Sequence, residues 1–218
     1  TRKVIAEHAT IGIVITTDGT ITDLPREAYP EAEGRVIEEL KALGKPFLIL
    51  LNSAHPQGEA AQKLRAKLAE QYDVTCLAVS CLDLDQQAVT EIIQAVLYEF
   101  PLEELQLFLP DWVETLPTEH PIRTALFQAI RAQAGKLVRI RDVKPAVAAM
   151  GQCELVTGAS VTGMKLGSGC CQARLELPRS LFYDTLSQQT GFALHSDGEL
   201  LALLERLAVV QAEHQKVA

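Results

Sequence analysis

Three short apolar runs, Ile11–Val14, Phe47–Leu51 and Val74–Val79, each give way to side chains bearing hydroxyl, amide or carboxylate groups: Thr16-Thr17-Asp18, Asn52-Ser53 and Ser80-Cys81. Each run is followed by a loop and then by a helix-like segment. Strands that are apolar along their length sit inside a parallel sheet covered on both faces. The carboxyl ends of such strands form the rim at which open α/β sheets bind ligands. The three polar strand ends are therefore the first candidate site.

The alternation continues in register with that reading. Arg2–His8 is helix-like and precedes a strand at Ile11–Thr16. The loop Asp18–Tyr29 is rich in Asp, Gly, Thr and Pro, and long for a βα connection. The spacing predicts a helix over Glu31–Leu43, with Val36, Ile37, Leu40 and Leu43 on one apolar stripe and Gly44 as its stop. After the strand Phe47–Leu51, Gly58–Tyr72 is helical, with Ala61, Leu64, Leu68 and Tyr72 on one face. The third strand, Val74–Ser80, leads to a helix over Asp85–Phe100, with Val89, Ile92, Ile93, Val96 and Leu97 turned inward. Repeated strand–helix units of this kind form βαβ crossovers.

The pattern changes after Pro101. Leu105–Leu109 reads as a further strand. Pro121–Ala134 reads as a helix burying Ile122, Leu126, Phe127 and Ile130, and Asp142–Met150 as another. Cys153–Leu177 turns to Val, Thr, Ser and Gly in partial alternation, as in an antiparallel meander. Helices at Arg179–Gln189 and Gly198–His214 close the sequence. The expected organisation is a parallel α/β portion over residues 1–103 and a smaller α+β domain over residues 104–218.

Charge and cysteine usage narrow the function classes. A net charge of -8 argues against broad binding to nucleic acid or anionic membrane. No apolar stretch approaches the roughly 20 residues of a membrane span. The five cysteines, Cys76, Cys81, Cys153, Cys170 and Cys171, include no C-x-x-C pair and suit a reducing cytoplasm. Histidines 8, 55, 120, 195 and 214 lack metal-ligand spacing, so no metal site is expected and they read as surface residues. Arg139-Ile140-Arg141, with Lys136 and Lys144, is a small basic cluster that can meet an acidic neighbour but reads first as a solvated helix face, and Ala159-Ser160 with Cys170-Cys171 reads as structural or an interface.

No G-x-x-x-x-G-K-[ST] phosphate loop is present. In Ras-like P-loop GTPases the corresponding strand ends in N-K-x-D, whose Asn ties the base-binding loop together and whose Asp grips the guanine edge. This chain reads Asn52-Ser53-Ala54-His55. The Asn is retained, Ser53 replaces the Lys, and His55 stands where the Asp would be. An imidazole cannot offer two acceptors, so guanine selectivity is expected to be lost. Asn52 as a plain turn cap is the alternative. One βα unit later, Ser80-Cys81-Leu82 stands in the place of the small-residue loop that admits the base. Thr16-Thr17-Asp18-Gly19-Thr20 can serve phosphate- or metal-side support, or simply form an Asp-Gly turn.

Thr1–Ile5, Thr10–Ile21, Arg35–Leu40, Gly44-Lys45-Pro46-Phe47, Asn52-Ser53, Leu97–Pro101, Leu109-Pro110 with Trp112-Val113, and Leu137–Val143 together closely resemble the stage IV sporulation protein A family. The resemblance implies a spore coat morphogenetic ATPase related to translation-factor GTPases. Its fold would be the C-terminal half of a Ras-like P-loop NTPase sheet with helices on both faces, followed by the α+β middle domain. It implies ATP and Mg²⁺ as cofactors of the intact protein, with none expected on this piece alone. The Walker A lysine, the metal-binding aspartate and the switch threonines are expected upstream of Thr1, so no catalytic residue is assigned here. Asn52, Ser53, Ser80 and Cys81 are the expected base-binding residues, and Thr16, Thr17 and Asp18 the supporting ones. Implied partners are further copies of the protein in a polymer, a small amphipathic membrane-anchoring peptide and other coat proteins. The implied place is the mother-cell cytoplasm at the outer forespore surface. A second expectation, from another class, is a non-catalytic assembly module with a degenerate NTPase fold.

Overall fold

The computed structural model describes residues 9–217. The expected helix at Arg2–His8 lies outside the described residues. Over the described residues two compact units form, each drawn from three stretches of chain: residues 9–106, 136–145 and 163–171 in the first, and 107–135, 146–162 and 172–217 in the second.

The first unit is centred on three strands, β1 (Gly12–Thr17), β2 (Phe47–Asn52) and β3 (Cys76–Val79), in the order β1-β2-β3 and parallel throughout. Parallel neighbours require crossovers, and the crossovers are α1 (Pro30–Ala42) and α2 (Glu59–Tyr72); α3 (Gln86–Tyr98) follows β3. Five of the six residues of β2 are buried because it is the central strand. Its alternate side chains serve two cores. Phe47, Ile49 and Leu51 pack with Val14, Ile37, Leu40, Leu68 and Val74, whereas Leu48 and Leu50 pack with Ile92 and Val96 of α3. Gly12 sits where an added Cβ would lie 3.2 Å from the Cβ of Phe47 and 3.3 Å from the Leu40 side chain, so β1 approaches the core closely.

The sheet is not covered on both faces along its whole width. On β1, Ile13 and Ile15 are 47% and 63% exposed. The physical reason is position: β1 is an edge strand, and α3 reaches only the part of that face formed by β2 and β3. Val89 and Ile93 of α3 are correspondingly exposed, not inward. Val36 is exposed as well; the buried line of α1 is Glu33, Ile37 and Leu40, at spacings of four and three. Phe127 likewise lies outside the buried side of its helix, which Leu126 anchors.

A second three-stranded sheet has the order β4-β6-β5, formed by β4 (Glu104–Phe108), β5 (Gly158–Lys165) and β6 (Cys170–Glu176). In the second unit lie α4 (Trp112–Thr115), α5 (Pro121–Ala134) and two terminal helices, α7 (Arg179–Thr190) and α8 (Asp197–Val217); α6 (Val143–Met150) contributes its later residues there. Trp112 stacks at a tilt on Phe182, 5.8 Å between centroids. No described helix is long and apolar enough to cross a membrane.

Candidate functional site: the carboxyl rim of the parallel sheet

Parallel pairing brings the three strand ends side by side. Thr17 is opposite Asn52, and Asn52 is opposite Val79, so Ser80 and Cys81 leave the sheet directly beside Asn52. The Ser53 amide donates to the Val79 carbonyl at 2.9 Å, extending the ladder by one bond. Beyond it, the Asn52 side-chain oxygen accepts from the Cys81 amide at 2.9 Å. The last residue of β2 is thus tied to the first turn after β3. That turn is closed by the Asp83 amide on the Ser80 carbonyl, and by the Ser80 hydroxyl donating to Asp83 at 2.7 Å.

A second knot joins the β1 and β2 loops. Ser53 is fully buried, and its oxygen accepts from the His55 amide at 3.0 Å. The Thr20 hydroxyl donates to Asp18 at 2.6 Å and accepts from the Ala54 amide at 2.9 Å. The Thr20 amide also donates to Asp18. Burial works to raise the Asp18 pKa, but hydrogen bonds from Ser53 and from Thr20 outweigh it and hold the carboxyl below its usual range. Gly19 makes the turn possible at φ +88°, a left-handed conformation in which a side chain would be strained.

Thr16 and Thr17 are buried and occupied within the fold. The Arg26 guanidinium donates to the Thr16 hydroxyl at 3.0 Å while making a two-pronged ion pair with Glu33 at 2.7 and 3.0 Å. The Thr17 hydroxyl accepts from the Gly19 amide at 3.1 Å. Burial first, and then the Glu33 carboxylate, push the Tyr72 hydroxyl above its usual pKa. The long loop after β1 is therefore pinned to α1 through Arg26. Of the seven residues expected at this rim, the structure places Asn52 at the end of β2, a buried Ser53 just beyond it, and Ser80, Cys81 and Asp18 in the loops after the strands, and directs Thr16 and Thr17 into structural bonds. Thr20 belonged to the Thr16–Thr20 motif read from sequence, whereas Arg26 and Glu33 were not singled out; Glu33 carried a signal, as a carboxylate in line with Ile37 and Leu40 on the apolar side of its helix.

The other flagged side chains have different fates. His55 and His195 are exposed, and His120 caps α5 by accepting from the Ile122 amide at 3.3 Å. His8 and the side chain of His214 lie outside the description. All five cysteines are free thiols, and burial pushes Cys76 up to about 12. Among the described residues no group of three His, Cys, Asp or Glu is placed to hold a metal ion. Arg139 and Arg141 are not a solvated helix face: both ion-pair with the buried carboxylate of Glu99 at 3.2 Å, and Arg141 with Asp73 at 2.8 Å.

An open parallel sheet with loops knotted along its carboxyl rim is an α/β arrangement compatible with part of a nucleoside-triphosphatase domain. Residues 1–101 match the family model described as stage IV sporulation protein A, ATPase domain, and residues 102–218 match that family's middle domain. The chain belongs to the stage IV sporulation protein A family. It is 37% identical over 217 residues to stage IV sporulation protein A of Clostridioides difficile and 38% identical over 218 residues to that of Bacillus subtilis. In both comparisons the whole of this chain is covered, but 44% of the relative, so the chain spans less than half the length of these curated relatives. No solved structure matches it.

Proposed function

We propose that the carboxyl rim is the base side of an ATP site, in a protein that hydrolyses ATP with Mg²⁺ and self-assembles as the basal layer of the spore coat on the forespore surface. The observation that carries the nucleotide part is the Asn52–Cys81 bond, which fixes the loop after β3 against the strand end beside it. It lies within residues matched by the ATPase-domain model. Small side chains at Ser80 and Cys81 leave room for a planar base beside a loop whose Cys81 amide is held by Asn52, and Ser53 braces the loop from beneath. His55 in place of an aspartate removes the paired acceptors that guanine requires, which favours adenine.

On this reading the Ras-like sheet continues past β1, whose free edge and uncovered Ile13 and Ile15 suit a further strand and a helix laid across them. The bound Mg²⁺ would supply charge neutralisation at the phosphates, and the residues described here orient the base and exclude water around it. Self-association, a small amphipathic anchoring peptide and further coat proteins are the proposed partners of the whole protein.

Phosphate contacts supply much of the affinity at such sites. Titration calorimetry of this 218-residue chain with Mg-ATP is expected to show no binding tighter than about 100 µM, or roughly -5.5 kcal/mol. In the whole protein, Asn52→Ala is expected to weaken ATP binding about tenfold or more, as loss of one partly buried hydrogen bond and a mispositioned loop would. Unchanged affinity in that variant removes the base-side assignment.

A further inference from the structure

The amino-terminal end of the same sheet carries a pocket of about 430 Å³, lined by Lys41, Lys45, Phe47, Tyr72, Val138 and Arg139 among others. It lies at the starts of β2 and β3, one strand length (about 20 Å) from the rim that holds Asn52. Its charge is unusual for this protein. Two carboxylates, Asp73 and Glu99, are already paired with Arg139 and Arg141. Lys41 lies over the Tyr72 ring, 5.8 Å from its centroid, and Lys45 donates to the Ala9 carbonyl. Among the described residues neither lysine meets a carboxylate, on a chain whose net charge is -8. Val138 stands beside them 65% exposed.

The opposite end of the sheet has the complementary feature. Leu82-Asp83-Leu84-Asp85 follows β3 as a short loop, and Leu82 is 83% exposed. The loop is held in shape before it meets anything: Ser80 bonds Asp83, and Asp85 caps α3 by accepting from the Ala88 amide at 2.7 Å. An apolar tip flanked by two carboxylates matches, in size and sign, a pocket with an apolar floor flanked by two lysines. A preformed loop also loses little entropy on docking.

We propose that the Leu82–Asp85 loop of one copy docks into the Lys41–Lys45–Arg139 pocket of the next. Because the two surfaces lie at opposite ends of one sheet, the contact is head-to-tail and does not close on itself, so copies add in an open row. The proposal rests on the self-assembly reading above and supplies its contact. It also places that contact one residue from Cys81, so occupancy of the base side and docking share a loop.

Sedimentation velocity on the 218-residue chain tests it. The unmodified chain is expected to form species that grow with concentration at low salt. Raising salt from about 50 to about 500 mM shortens the screening length from about 14 to about 4 Å and is expected to weaken association at least tenfold. Lys41→Glu and Asp83→Lys should each abolish growth while retaining the circular dichroism of the unmodified chain; Lys45→Gln serves where either variant fails to fold. The decisive sample is the equimolar mixture of Lys41→Glu and Asp83→Lys. The native loop of one variant meets the native pocket of the other, and the reversed loop meets the reversed pocket, so growth is expected to return in the mixture, and a mixture that stays monomeric overturns the proposal. Growth of either single variant like the unmodified chain overturns the proposal, as does a monomeric unmodified chain at about 1 mM. Light scattering of the whole protein separates this from the broader reading. Assembly unaffected by Asp83→Lys removes this contact alone, whereas no assembly by the unmodified whole protein removes self-assembly itself.

Discussion

The two ends of the three-stranded sheet are built by different means. At the carboxyl rim the loops are held by short bonds, several of them between residues two or three apart and the rest between adjacent strand ends: Thr20 to Asp18, His55 to Ser53, Cys81 to Asn52. At the amino end, Glu99 is almost wholly buried and is held by partners far away in sequence. Thr75 donates to it through amide and hydroxyl, and Arg139 and Arg141 approach from 40 residues downstream. The same two arginines grip the Asp73 carbonyl at 2.9 and 2.8 Å, where Asp73 ends α2 in a left-handed conformation. Backbone bonds zip the segments together, Ile140 to Phe100 and Leu102 to Val138. A rim made of many modest bonds can adjust to a ligand. An edge made of one buried charge cluster is rigid and fails as a unit.

The largest contrast between the ends is expected on removing the buried carboxylate. Glu99→Ala leaves two guanidinium groups and the Thr75 amide without their shared acceptor. Loss of one member of a buried ion-paired cluster costs about 3–5 kcal/mol. The urea midpoint of the first unit should fall accordingly. Glu99→Gln keeps the shape and an acceptor, and should recover part of the loss. Equal stability of Glu99→Ala and the unmodified chain would show that the amino end is not the rigid one.

Removing the rim's central bond should do less to stability. Asn52→Ala leaves the Cys81 amide unpaired but near solvent, at about 1–2 kcal/mol. Its greater effect is the loss of ATP affinity in the whole protein described above. If Asn52→Ala unfolded the chain as readily as Glu99→Ala, the distinction between adaptable rim and rigid edge would disappear.

The same contrast explains what could be read from the residues alone. The strands, their parallel order and the meeting of Asn52 with Cys81 follow from uninterrupted apolar runs and fixed strand–helix spacing, so the rim was legible. The cluster around Glu99 was not. A Glu at the end of a helix and an Arg-x-Arg segment 40 residues later carry no local mark of contact, and the arginines read first as a solvated face. Helix faces misled for a related reason. Val89 and Ile93 continue the apolar side of α3, but periodicity only says that a face is apolar. Whether it is covered depends on the width of the sheet, and the exposed β1 face leaves that side of α3 bare.

The smallest expected effect tests the rim's outermost bonds by pH. The Asp18 carboxyl titrates below its usual range because Ser53 and Thr20 donate to its charged form, more than offsetting burial. The folded chain therefore gives up this proton at a lower pH than the unfolded chain. The stability it contributes is fully present above about pH 4, the unfolded value, and is lost as pH falls through the lower folded value. Thr20→Val removes the hydroxyl donor at 2.6 Å and leaves the backbone donor and Ser53 in place. A carboxyl NMR titration should then find the Asp18 midpoint raised toward its usual range without reaching it, and the acid limb of the stability curve should flatten slightly. A midpoint that does not move would mean that Ser53 and the Thr20 amide set the charge state without the Thr20 hydroxyl. A full return to the usual value would mean that Thr20 does all of the work, and that the knot between the two loops is a single bond.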